Sequence, residues 1–150
     1  PPGRSPRSAA AAPLELAGEV RLRAFLTPDC EAGELHATVL DVHPDGRSYP
    51  VSRGVARFTR EGDSAEPLEV VVELDDTCAV LAAGHRIRLV LSGTSLPAHL
   101  PAPRRAVGPA ASTADDFGPV THLIHHDAIH PSTLELQVVG AVGSHAGGTA

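Results

Sequence analysis

Residues 68–75 read Leu68-Glu69-Val70-Val71-Val72-Glu73-Leu74-Asp75. Leu68, Val70, Val72 and Leu74 fall on one side of an extended chain, and Glu69, Val71, Glu73 and Asp75 on the other. Strict alternation of this kind marks a strand with one face buried. Working outward, the same period recurs. In 85–92, Ile87, Leu89 and Leu91 oppose Arg86, Arg88 and Val90. In 34–42, Leu35, Ala37 and Val39 alternate with His36, Thr38 and Leu40. In 19–27, Val20, Leu22, Ala24 and Leu26 alternate with Glu19, Arg21, Arg23 and Phe25. A weaker segment covers 54–60, and two more strands are read at 120–126 and 133–139.

Turn chemistry separates these runs. His43-Pro44-Asp45-Gly46-Arg47 has a proline to fix φ and a glycine to supply a positive φ. Residues 60–63 and Ala83-Gly84 are weaker versions, and only 76–83 has the composition of a helical turn. Seven strands without intervening helices predict two antiparallel sheets packed face to face. Residues 93–119, rich in Pro and Ala, form one long connection, and such loops are usually functional or disordered.

The chain has 150 residues, a length suited to one domain, with 42% hydrophobic and 20% charged residues. Residues 1–13 read as a linker or disordered tail, 14–140 as the folded domain, and 141–150 as a flexible tail. The net charge of −6 argues against a nucleic-acid partner, since phosphate binding needs a basic surface. No apolar run approaches the ~20 residues of a membrane span. The start, Pro1-Pro2-Gly3-Arg4, reads as that of a fragment; the compartment stays open, with a cytoplasmic location favoured and secretion allowed if a signal peptide preceded it. Cys30 and Cys78 could pair, but two cysteines make no disulfide framework. They are expected as free small side chains in or near the core.

Five segments, in order, resemble the C-terminal non-catalytic domain of X-Pro dipeptidyl-peptidase and cocaine-esterase-like hydrolases. They are Leu14-Glu15-Leu16-Ala17-Gly18-Glu19-Val20, Leu40-Asp41-Val42-His43-Pro44-Asp45-Gly46-Arg47-Ser48 and Gly54-Val55-Ala56-Arg57. Ala83-Gly84-His85-Arg86-Ile87-Arg88-Leu89 and His126-Asp127-Ala128-Ile129-His130-Pro131-Ser132-Thr133-Leu134 complete the set. The Asp-Val-x-Pro-Asp-Gly-Arg-Ser turn and the Ala-Gly-His-Arg strand start are the most specific pieces. The resemblance implies a jelly-roll β-sandwich of the galactose-binding-domain-like kind, N-terminally truncated here, packed beside an α/β-hydrolase domain that carries a Ser-His-Asp triad. Esters, amides and peptides with proline near the N-terminus are the substrates it implies for the parent. One departure stands out. Where the family usually has Ser-x-x-Phe-Pro-Arg-Phe, this chain has Ser92-Gly93-Thr94-Ser95-Leu96-Pro97-Ala98-His99-Leu100, with leucine in place of both aromatics.

The chain itself offers little catalytic chemistry. A nucleophile elbow needs Gly-x-Ser-x-Gly, which does not occur, and Ser144-His145 lies in a Gly-rich tail. His122, His125, His126, Asp127 and His130 form the densest cluster of metal-type ligands. A continuous strand, however, places His122 and His126 on one face and His125 and Asp127 on the other. His126, Asp127 and His130 are therefore expected to form a polar turn leading into the last strand, with Pro131 arguing against a helix there and Asp127 bonding the turn backbone. His85, between Gly84 and Arg86, is expected to be structural at the start of a strand. Asp41, Asp45, Asp75 and Asp76 lack the Asp-x-Asp-x-Asp spacing of a calcium loop. Phe25 and Phe58 are expected in the core, leaving Tyr49 and Phe117, too few rings for a sugar platform.

The expectation is thus an accessory domain that shapes a hydrolase entrance, supports a homodimer, or both. No catalytic residue, cofactor or metal is expected in it. Pro44, Asp45, Gly46, Arg47, Gly84, His85, Arg86, Asp127, His130 and Pro131 form its turn framework. Leu96, Pro97, Leu100 and Val107 are the expected interface with the hydrolase domain. The alternative is a stand-alone carbohydrate- or protein-binding module.

Overall fold

The computed structural model describes residues 9–60, 62 and 66–141. Seven strands follow in order: β1 (Leu14–Pro28), β2 (Ala32–Val42), β3 (Ser48–Thr59), β4 (Leu68–Leu81), β5 (Arg86–Ser92), β6 (His122–His125) and β7 (Thr133–Ala141). All pair antiparallel. β5, β2 and β3 form one layer. β4 and β1 form the other, with β6 and β7 on the far edge of β1. The layers are joined at one backbone pair among the described residues, Gly54 of β3 with Leu74 of β4. Ser52 and Thr77 hydroxyls tie the same crossing, donating to the carbonyls of Asp75 and Val51.

The inward faces are those the alternation marks. Val20, Leu22, Ala24 and Leu26 of β1 are at most 1% exposed. They pack with Val70, Val72 and Leu74 of β4, Leu35, Ala37 and Val39 of β2, and Phe58 of β3. Burying such a side chain stabilises the fold by roughly 1.5–3 kcal/mol. Outward, Arg21 meets Glu73 and Arg23 meets Glu69, exposed pairs of small energetic weight.

Several expectations change. Residues 76–81 are strand, not a helical turn, because Leu14–Gly18 of β1 supplies them with partners, running from Leu14 with Leu81 to Gly18 with Thr77. A bulge at Gly18, with φ +117°, lets β1 keep pairing on both sides of it. β3 begins at Ser48 rather than 54, since β2 pairs with it from Val42 onward. Phe25 is not in the core: it shares the outer face of β1 with Arg21 and Arg23 and lies against His130, ring centroids 5.5 Å apart. Both cysteines are free, but only Cys30 packs on the core, where burial raises its thiol pKa, while Cys78 is exposed. Ala10, within the expected N-terminal linker, exchanges backbone hydrogen bonds with Gly84 and His85. Residues 1–8, Ser144-His145 and the remainder of the expected C-terminal tail after Ala141 lie outside the described residues.

β6 and β7 are in effect one interrupted edge strand. His125 pairs with Phe25 and Thr133 with Arg23, so the seven residues 126–132 leave β1 and return to it opposite Ala24. The Ser132 hydroxyl bridges the gap, accepting from the Phe25 N–H at 2.9 Å and donating to the His125 carbonyl.

Candidate functional site

The connection after β5 is firmly attached. Residues 93–121 contain two single-turn 3-10 helices, Pro109–Ala111 and Ala114–Asp116. Asp116 is buried and accepts from the Thr113 N–H at 2.8 Å and its hydroxyl at 3.1 Å. The backbone bond to Thr113 holds its carboxyl below the usual carboxylate range. The Arg104 N–H donates to the Asp116 carbonyl, and the Arg104 carbonyl accepts from Glu31 and Ala32 at the start of β2. Asp29 and Thr121 bond each other at the far end, which lowers the Asp29 pKa.

This attachment leaves an apolar groove of about 720 Å³ between the connection and the β2–β3 end of the sandwich. Its floor is Gly33 and Phe58, which touch so closely that a Cβ on Gly33 would lie 2.8 Å from the Phe58 ring. Leu100, Pro101, Val107 and Phe117 form the opposite wall. Leu100 is 83% exposed on that wall. Of the expected interface residues, Leu100 and Val107 therefore line the groove. Leu96 and Pro97, joined by a cis bond, are exposed away from it.

Two arginines stand at the groove, and sequence reading missed both. Arg57 bonds buried Glu34 at 2.8 Å, yet its side chain is 77% exposed. Arg105 reaches buried Asp116 at 3.4 Å and is 67% exposed. Each is anchored by a buried carboxylate and offers its remaining N–H groups outward. Glu34 also meets His36 at 3.1 Å, and His36 packs on His99 of the connection, 5.1 Å between rings. Alternation places Glu34 and His36 on the solvent face of β2. Both are buried; the signal for it, a covering loop rich in Pro, was legible only as length.

The two most specific sequence motifs meet at the opposite end. The 43–47 turn has Gly46 at φ +91° and Asp45 accepting from the Arg47 N–H at 3.0 Å and pairing with its guanidinium at 2.7 Å. The bond to Arg47 lowers the Asp45 pKa. Beside it lies the turn before β5, with Gly84 at φ +85° facing Pro44. His85 Nδ1 sits 2.9 Å from Asp41 Oδ1, and the His43 and His85 rings pack tilted with centroids 4.1 Å apart. Asp41 is thus engaged by histidine and Asp45 by arginine. Arg86 opens β5 opposite Val42, and Tyr49 packs edge-on against His43.

In the third cluster only the expected division of ligands between two strand faces departs from the sequence reading. β6 ends at His125, so the face rule stops there, and the excursion folds back. Asp127 Oδ1 accepts from the Ile129 and His130 N–H groups, both at 2.8 Å, which lowers its pKa. His125, Asp127 and His130 converge, each with a donor atom within 4.8 Å of the others. Pro131 follows and closes the turn. His122 stays apart, edge-on to Phe58 at 5.4 Å, with neither ring nitrogen bonded among the described residues. Burial lowers its pKa.

Fold and groove together define a two-layered antiparallel β domain with no nucleophile elbow and an apolar groove at one end. The chain belongs to the X-Pro dipeptidyl-peptidase C-terminal non-catalytic domain family, whose pattern matches residues 7–135. It is 26% identical over 135 residues to the cocaine esterase of Rhodococcus sp. (strain MB1 Bresler), covering 85% of this chain and 24% of that protein. An aminopeptidase structure from a marine sediment Thaumarchaeota archaeon superposes with a TM-score of 0.80 at 18% identity, over 89% of this chain and 25% of that one. An α-amino acid ester hydrolase gives 0.78 at 19%, over 87% and 24%. Both likenesses concern the fold. The chain spans about a quarter of the length of these relatives.

Proposed function

We propose that this domain is the accessory C-terminal part of a serine hydrolase of the X-Pro dipeptidyl-peptidase or acyl-esterase type, whose Ser-His-Asp triad lies on a separate α/β-hydrolase domain of the same parent. The observation that carries the reading is the 720 Å³ groove with Leu100 83% exposed in a member of this family. Covering an apolar groove removes its lining from water, which favours the covered state. Arg57 and Arg105 beside it favour a covering face that is apolar at its centre and acidic at its margin. Covering by the hydrolase domain would set the groove wall near the substrate entrance. The same face would support a homodimer where the hydrolase domain leaves it free.

Sedimentation of the isolated chain tests the reading. Self-association at micromolar concentration, reversed by Leu100→Asp with Val107→Asp, is the expected result. A clean monomer at every concentration counts against a covered face. In the parent, the same double substitution lowers turnover of p-nitrophenyl acetate or an Ala-Pro anilide, while the 150-residue chain alone gives none above background. Turnover by the chain alone that survives repurification would refute the non-catalytic assignment.

A further inference from the structure

The excursion 126–132 carries a second, unrelated feature. His125 Nε2 lies 3.0 Å from the Thr27 hydroxyl, so its Nδ1 is the nitrogen left to face Asp127 Oδ2, at 4.0 Å. His130 Nδ1 lies 3.7 Å from Asp127 Oδ1. These separations are too long for direct hydrogen bonds. They are slightly longer than the edge of a zinc coordination tetrahedron, about 3.3 Å for bonds near 2.0–2.1 Å. The Asp41 cluster contrasts: there His85 and Asp41 are already in direct hydrogen-bond contact at 2.9 Å, with His43 Nε2 3.5 Å from the same carboxylate, so a cation would have to displace an existing bond.

The supporting shell is also present. Thr27 can accept the Nε2–H of His125 and so fix the tautomer that leaves Nδ1 free to ligate. The two backbone bonds to Oδ1 orient the Asp127 carboxylate. Phe25 backs the His130 ring. The histidines are 22% and 24% exposed and the carboxylate 55%, so the cluster opens to solvent on one side.

We propose that His125 Nδ1, His130 Nδ1 and the Asp127 carboxylate form a site for a borderline divalent cation such as Zn²⁺, with the fourth position open to solvent. Imidazole nitrogens exclude Ca²⁺ and Mg²⁺, which take oxygen ligands. Bound metal clamps the excursion onto the β1 edge without touching the groove.

Calorimetric titration of ZnCl₂ into the EDTA-stripped 150-residue chain tests this. The expected result is one equivalent bound with a Kd of about 10 µM or tighter, and no heat from CaCl₂. His130→Gln and Asp127→Asn each weaken binding on the order of tenfold or more, whereas His85→Gln leaves it unchanged. Asn keeps the oxygen that accepts from Ile129 and His130, so Asp127→Asn retains the turn; if circular dichroism shows it unfolded, His130→Gln decides. Absence of binding at about 100 µM Zn²⁺ overturns the proposal. So does binding that survives the deciding substitutions, or that His85→Gln abolishes.

Discussion

Gly54 is the residue at which one layer hands over to the other, and replacing it with alanine tests whether that crossing holds the sandwich together. A Cβ there would run into the Glu73 carbonyl oxygen and stand 2.8 Å from the Leu74 Cα and 3.0 Å from the Glu73 carbonyl carbon. All three are backbone atoms, so no side chain can swing aside. β3 and β4 must separate at the one backbone pair that joins them among the described residues, which also lengthens the Ser52 and Thr77 hydroxyl bonds across the crossing. Overpacking costs about 1–3 kcal/mol, and a weakened hydroxyl bond adds about 1 kcal/mol. The expected total is about 2–4 kcal/mol, a large part of a typical domain stability of about 5–15 kcal/mol. For a domain of this size that lowers Tm by roughly 6–16 °C. Thermal melts followed by circular dichroism, with urea unfolding at 25 °C, measure it. A Gly54→Ala protein melting within about 2 °C of the parent chain would refute the reasoning, because the layers would then tolerate a wider crossing.

Three further outcomes are expected. Gly46→Val destabilises by about 1–3 kcal/mol through backbone strain alone, since φ is +91° and no atom lies within 4 Å of the added Cβ; a melt unchanged from the parent would place the strain elsewhere. Ser132→Ala leaves the Phe25 N–H and the His125 carbonyl without their bridge and costs about 1–3 kcal/mol in urea unfolding; Ser132→Thr, which keeps the hydroxyl, recovers part of that loss. His122 is held neutral by burial, with its folded pKa below the unfolded value of 6.5. The unfolded chain therefore binds the extra proton first, so stability is full above about pH 6.5 and falls as pH drops through that range. Asp29, Asp45, Asp116 and Asp127, all lowered from 3.8, add a second loss below about pH 4. Melting temperature against pH should show both steps, and His122→Leu should remove the upper one.

The strands legible in the sequence are those whose two faces differ sharply in polarity. Leu68–Leu74 announces itself because one face meets the core and the other carries Glu69 and Glu73. Asp75-Asp76-Thr77 interrupts that alternation, and the strand continues only because β1 supplies partners some sixty residues away, which local pattern cannot convey. The first half of β3 is hidden for the same reason, its polar residues Ser48 and Ser52 and its Pro50 being held by β2. The turns at Gly46 and Gly84 were legible as chemistry, but their contact through His43 and His85 depends on β2 pairing with β5. At the candidate sites, side chains came into view only where their neighbours lay close in sequence, as Asp127 does to Ile129 and His130. Glu34 and Arg57 face each other because β2 pairs with β3, whereas Asp116 and Arg105 and the walls of the groove are set by the path of a 29-residue connection that has almost no periodicity to read.

The interrupted edge strand also marks where this fold can grow. Since β6 and β7 rejoin β1 with only Ala24 between their registers, the excursion's length is invisible to the sandwich beneath it. Its tip, with Ile129 81% exposed, faces open solvent. Doubling a loop costs only about 0.6 kcal/mol of closure entropy, so extra residues between Ala128 and Ile129 would be carried outward while Ser132 still seals the return, at the expense of the Asp127 bonds to Ile129 and His130 and of the cation site built on them. The position is a natural port for a tether, a recognition loop or a fluorescent reporter. Comparable lengthening between Asp45 and Gly46 would instead pry the stacked turns apart, because there the tight reversal itself positions His43 over His85.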